Sequence, residues 1–233
     1  ILSKSKMMVL SYPHNPTTAI APLTFFNQAV NFCRQHNLVL VHDFPYVDLI
    51  FDSQVFAPSI LQADPQKELS IEFFTLSKSY NMGGFRIGYA IGNPSLIQAL
   101  RQIKAVVDFN QYRGILTGAI AALSSPPASV AQTVHTFQQR RDVFIQALQD
   151  IGWSVPSPSA TMYIWAKLPE PWQHNSVDFC TKLVAQTGVA ASPGAGFGQA
   201  GEGYVRFALV RDPDTLRHAA QKIQQFLQTS PKS

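Results

Sequence analysis

Five consecutive residues, Leu38-Val39-Leu40-Val41-His42, form a short apolar run with a helical pattern just before it. In that pattern Leu23, Phe26, Val30 and Cys33 recur at the three-to-four residue spacing of one helix face between Pro22 and Gln35. A short run that is apolar throughout suits a parallel strand covered on both faces, whereas a half-exposed strand alternates. Met7 to Tyr12 reads as an earlier buried strand, so the opening of the chain predicts strand, helix, strand. Strands are expected again at Ser70 to Thr75 and Ile87 to Ile91, then a helix from Pro94 to Asp108 with proline in its first turn. This alternation predicts an α/β fold with a mainly parallel sheet.

The pattern changes after Ser124-Ser125-Pro126-Pro127. Val130, Val134, Phe137, Phe144 and Leu148 mark one face of a long helix that ends by Gly152. Strands at Met162 to Trp165 and Tyr204 to Leu209, helices at Val177 to Gln186 and from Pro213 to about Leu227, complete a second, smaller α/β domain. The expected division is residues 1–128 and 129–233.

With 233 residues, 46% hydrophobic and 14% charged, the chain can bury a sizeable core. Its formal charge of +4 is scattered rather than gathered in runs, which argues against a nucleic-acid groove. No apolar run approaches the roughly 20 residues of a membrane span, and no charged-then-apolar leader opens the sequence, so a soluble, cytoplasmic protein is expected. Cys33 and Cys180 sit in apolar helical patterns far apart, which predicts buried free thiols rather than a disulfide or a metal pair. The first residue is Ile1 and a strand follows within a few residues, so further sequence is expected upstream.

Candidate functional residues cluster in a few segments. Lys78 follows an apolar strand in Thr75-Leu76-Ser77-Lys78-Ser79-Tyr80-Asn81-Met82-Gly83-Gly84-Phe85-Arg86, flanked by hydroxyls and trailed by glycines and an arginine. Asp43 falls after the Leu38 to His42 run, at the carboxyl end where α/β sheets carry their ligands. It serves there either as a turn or capping residue or as a ligand-facing carboxylate. Tyr46 lies three residues on, and Asn15 belongs to the polar, proline-rich stretch Ser11 to Thr18. Alternation in Tyr204 to Leu209 sets Arg206 on the face opposite Val205, Phe207 and Leu209, toward solvent or a ligand. Ser192-Pro193-Gly194-Ala195-Gly196-Phe197-Gly198 precedes a strand rather than a helix N-terminus, so a dinucleotide site is rejected in favour of a flexible, tight loop near a ligand.

Taken in order, the Asn-Pro-Thr, Asp-x-x-Tyr and Ser-Lys segments and the late arginine resemble aminotransferases of class I/II, fold-type I pyridoxal-phosphate enzymes. The resemblance covers nearly the whole chain and implies a large cofactor domain followed by a smaller C-terminal one. It implies that Lys78 forms a Schiff base with pyridoxal phosphate, Asp43 pairs with the protonated pyridine nitrogen, and Tyr46 and Asn15 bind the ring oxygen. Thr75, Ser77 and Arg86 then bind phosphate, and Arg206 and Asn15 the substrate. A cis Asn15-Pro16 bond goes with such a site. Further implications are ping-pong transfer between an amino acid and a 2-keto acid, and a homodimer, with Asp108 to Tyr112 as the candidate cross-subunit turn.

Two departures are visible: Thr18 stands where glycine usually ends the Asn-Pro-Thr-Gly string, and Thr75 where serine is frequent. The family's N-terminal segment, with further strands, a phosphate-binding turn and a ring-stacking aromatic, finds no match, so a fragment with little activity of its own is expected. The same residues are compatible with a lyase of this fold, and with the aminotransferase-like effector domain of a transcription regulator. Diaminopimelate, aspartate and aromatic amino acids all remain open as substrates.

Overall fold

The computed structural model describes residues 2–52 and 54–229. Ile1, on which the expectation of upstream sequence rests, lies outside the described residues. The chain groups into two compact units, Ile1–His14 with Ala19–Val134, and Asn15–Thr18 with His135–Ser233.

In the first unit, strands β1 (Met7–Ser11), β2 (Val39–Asp43), β3 (Ser70–Thr75) and β4 (Gly88–Gly92) form one sheet in that spatial order. The first three are parallel and β4 is antiparallel to β3, so the sheet is mixed at one edge only. Helix α1 (Leu23–Gln35) connects β1 and β2. Its buried stripe of Phe26, Ala29, Val30 and Cys33 packs with Leu38, Leu40 and Ile60, the spacing expected of a helix laid on a sheet. A short helix α2 (Ile60–Ala63) is fixed by a capping box of Ser59 and Gln62. On β4, a side chain at Gly88 meets the Phe74 carbonyl at 2.5 Å, so only glycine permits this approach to β3.

In this part of the chain two expectations need correction. The β2 run is not covered evenly on both faces: Leu40 and His42 are buried, but Val39 and Val41 are half-buried, and on neighbouring β1 Met7 and Val9 are exposed. Among the described residues the α1 face of this sheet is therefore the better covered of the two. The second concerns residues 113–124, for which no element is expected but which form helix α4 (Arg113–Ser124) between α3 (Pro94–Val107) and α5 (Ala128–Asp150). Gly114 and Gly118 weaken its helical propensity, and no polar face marks its period. Ile103, Val106, Val107, Phe109, Tyr112 and Ile120, along α3, α4 and the turn between them, are exposed.

The second unit carries a three-stranded antiparallel sheet in the order β5 (Tyr163–Lys167), β7 (Tyr204–Ala208), β6 (Ser192–Pro193). It packs with the end of α5, α6 (Ser176–Thr187) and α7 (Pro213–Thr229). Phe144, Leu148, Ile164, Phe179, Leu183, Phe207 and Phe226 are buried together. Asn175 caps α6 by accepting the Asp178 N–H, and left-handed Gly188 ends it. β5 starts and ends slightly later than expected, and Thr161 just before it has φ +73°. The glycine loop is tight, as expected. It forms β6 and a 3-10 turn (Gly194–Phe197), where Gly194 and Gly201 pack backbone to backbone too closely for any side chain.

Both cysteines are buried and unpaired, and burial pushes the Cys180 thiol up to about 11. Among the described residues no single helix is long and apolar enough to cross a membrane.

Candidate active site

Parallel pairing sets the carboxyl ends of β1, β2 and β3 at one sheet edge, with Ser11 beside Asp43 and Asp43 beside Phe73. β4 runs the other way and begins at that same edge, where Gly88 faces Thr75. The topology thus gathers Asp43, Tyr46, Thr75, Ser77, Lys78 and Arg86 at the edge where such sheets hold ligands.

Lys78 lies in the turn that leaves β3. The turn is anchored by buried Leu76, by the Met82 N–H donating to the Leu76 carbonyl at 3.1 Å, and by the Asn81 N–H donating to Lys78 at 3.3 Å. The lysine is half-buried and its amine has no hydrogen bond or ion pair among the described residues. Thr75 uses its hydroxyl locally, accepting the Ser77 N–H at 3.1 Å, so it shapes the turn as well as facing the edge. Arg86 is exposed and adopts a left-handed backbone (φ +52°). One of its nitrogens donates to the Gly83 carbonyl at 3.2 Å, and its other donors remain for an anion.

Asp43 is the last residue of β2 and retains solvent access. Packing around it nevertheless pushes its carboxyl above the ordinary range, and charge on His42 pulls the other way. Tyr46 is buried, with 4% of its surface exposed, in the turn that follows.

In the second unit Arg206 and Asn15, 191 residues apart, meet: Arg206 Nη1 donates to Asn15 Oδ1 at 2.6 Å. That bond leaves the Asn15 Nδ2 as its donor. The Asn15-Pro16 peptide is cis, and Thr18 has φ +63°, the conformation glycine takes at such a position. The Arg206 Nη2 donates to Ser192 Oγ at 3.1 Å. Its guanidinium carbon lies 4.3 Å from the Tyr163 ring centre and 4.6 Å from that of Phe197. With these rings beside it and two nitrogens tethered, the guanidinium is held as a planar fork suited to a carboxylate. Ser192, Tyr163 and Phe197 were not legible as site residues. Tyr163 reads as a strand aromatic; the antiparallel pairing of β5 and β6 with β7 brings Tyr163 and Ser192 near Arg206, and the 3-10 turn after β6 brings Phe197.

Comparison with known proteins shows which family the chain belongs to. The glutamate-pyruvate aminotransferase AlaC of Escherichia coli is 42% identical over 221 residues, which cover 94% of this chain and 53% of AlaC. An LL-diaminopimelate aminotransferase of Dehalococcoides mccartyi is 43% identical over 231 residues, covering 99% of this chain and 58% of its own. The solved structure of a probable N-succinyldiaminopimelate aminotransferase from Thermus thermophilus superposes with a TM-score of 0.87 at 41% identity, over 96% of this chain and 59% of that one. This chain therefore spans a little over half the length of the relatives it matches. Its residues 2–223 match the model described as aminotransferase class I and II, and the chain belongs to that family.

Proposed function

We propose that the intact protein is a pyridoxal-phosphate-dependent aminotransferase that moves an amino group between an amino acid and a 2-keto acid. The observation that carries this reading is the gathering of a lysine amine, a carboxylate, a phenol, hydroxyls and a guanidinium at one sheet edge. That donor set fits the cofactor. Lys78 would hold it covalently, Asp43 would face its ring nitrogen, and Tyr46 and Asn15 its ring oxygen. Ser77, Thr75 and Arg86 would take its phosphate. When bound, pyridoxal phosphate supplies an electron sink for charge developing at the substrate's α-carbon.

The remaining chemistry belongs to the chain. Arg206 binds the substrate carboxylate and, with Asn15, orients the α-carbon. Lys78 Nζ takes the α-proton and returns it, acting as base and then acid. Formation of keto acid only when an amino acceptor is present separates transfer from elimination. We assign the exposed apolar residues of α3, α4 and the Asp108–Tyr112 turn to a homodimer contact.

Borohydride reduction of the intact protein with pyridoxal phosphate, followed by peptide mapping, is expected to find the cofactor on Lys78. Label on Lys104 or Lys167 instead overturns the assignment. Lys104 Nζ is already paired with Asp108 at 2.9 Å.

Asp43→Ala is expected to leave cofactor attachment intact and to slow proton abstraction. Because Asp43 keeps solvent access, a fully buried ion pair is the wrong yardstick, and a loss of about 1–3 kcal/mol, roughly 5- to 150-fold in kcat, is expected. Single-turnover rates equal to wild type would remove Asp43 from the mechanism.

A further inference from the structure

Next to Asp43 lies a polar cluster with no contact to solvent. His42 and Glu72 side chains are both fully buried, and His42 Nδ1 lies 2.7 Å from Glu72 Oε1. The same carboxylate accepts the Ser59 hydroxyl at 2.5 Å and the Ile60 N–H at 2.8 Å. At the other side of the ring, His42 Nε2 is 3.3 Å from the Tyr12 nitrogen and 3.1 Å from its carbonyl oxygen. Nδ1–H donates to Glu72, so Nε2 either accepts the Tyr12 N–H or, when protonated, donates to the Tyr12 carbonyl. The ring is also clamped between aromatics, with its centre 4.9 Å from Phe26 and 4.7 Å from Phe44.

Two buried ionisable groups are a poor way to stabilise a fold. Apolar residues of similar volume usually do as well or better, because desolvation offsets the attraction. What this pair does supply is direction. It ties together the end of β1 at Tyr12, β2 at His42, β3 at Glu72 and the start of α2 at Ser59 and Ile60. The Ser59 and Ile60 bonds hold Glu72, and Glu72 and the Tyr12 backbone in turn hold His42, the residue preceding Asp43.

We propose that His42 and Glu72 are a positioning pair that fixes the end of β2, and so the direction of the Asp43 carboxylate. The inference rests on the role given to Asp43 above. The groups facing His42 are Glu72 from β3 and the Tyr12 backbone just after β1, with Asp43 beside it in β2.

The test is made in the intact, cofactor-saturated protein. His42→Leu with Glu72→Gln removes the tie to Tyr12 without stranding a charge, since the amide still accepts from Ile60 and bonds Ser59. This variant is expected to lower kcat per bound cofactor about 10- to 100-fold while KM for the amino donor stays nearly unchanged. In the cofactor-free protein, amide hydrogen exchange should quicken at Tyr12 and at residues 42–44. Glu72→Gln alone keeps the ring's partners and should retain most of the rate. Placed in an Asp43→Ala background, the double replacement should add no further loss. An additional loss there, or unchanged kcat and exchange in the double variant, overturns the proposal. If Asp43→Ala is itself silent, the role of Asp43 fails, and this inference with it. Should the double variant not fold, His42→Asn, which keeps an N–H for Glu72 and loses Nε2, is read against the same expectations.

Discussion

Lys78→Ala in the intact protein is expected to abolish measurable transfer, lowering kcat on the order of 10⁴-fold, the upper end of what one positioned acid–base group contributes. The structure explains why no other lysine is expected to substitute. Lys67 lies before β3, at the opposite end of the strand, and Lys104 is paired with Asp108 on α3. Lys78 alone among them sits where β3 releases the chain, with buried Leu76 and two backbone bonds fixing the turn and the amine without a partner among the described residues. Cofactor should still bind, more weakly and without covalent capture. Small primary amines added to the variant should restore part of the proton transfer, because a free amine supplies the missing base without its positioning. Single-turnover rates with and without added amine check this. Turnover of Lys78→Ala near the wild-type rate would end the assignment.

Arg206→Ala is expected to lower kcat/KM for both amino acid and keto acid by about 2–5 kcal/mol, roughly 30- to 4000-fold, if the carboxylate pair is desolvated. The figure is argued for a guanidinium that is partly buried, tethered to Asn15 and Ser192, and bracketed by Tyr163 and Phe197. Its direction is set before substrate arrives, so little ordering entropy opposes binding. Both substrates should suffer alike, since each carries the same carboxylate. Arg206→Lys should recover little, because an ammonium cannot offer two parallel N–H groups or lie flat between rings. Steady-state kinetics with each substrate in turn test this. A loss confined to one substrate would mean that Arg206 reads a side chain rather than the common carboxylate.

Much of this was legible in the sequence because it depends on neighbours along the chain. Helix α1 follows from the spacing of Phe26, Val30 and Cys33, and β2 from an apolar run of strand length. The placement of Asp43 and Lys78 at strand ends was legible, since Asp43 closes β2 and Lys78 lies in the turn just after β3, and that of Arg206 because alternation turns it away from Val205 and Phe207. Helix α4 was not legible: its glycines and its lack of a polar face erase the helical period.

Which distant groups meet could not be read from any window of the sequence. Asn15 looks like a turn residue, yet it groups with the second unit and accepts from Arg206. Phe197 looks like part of a glycine loop, yet it lies against that arginine's guanidinium. His42 ends an apolar run and Glu72 sits inside a strand, and nothing local to either announces a buried pair. The sequence alone determined most of the secondary elements, their α/β class and the residue types at the strand ends, because these follow from short-range periodicity and backbone preference. The tertiary structure decided the antiparallel turn of β4, the setting of Arg206 and the burial of His42 against Glu72, because strand pairing and side-chain packing join residues that the chain itself keeps apart.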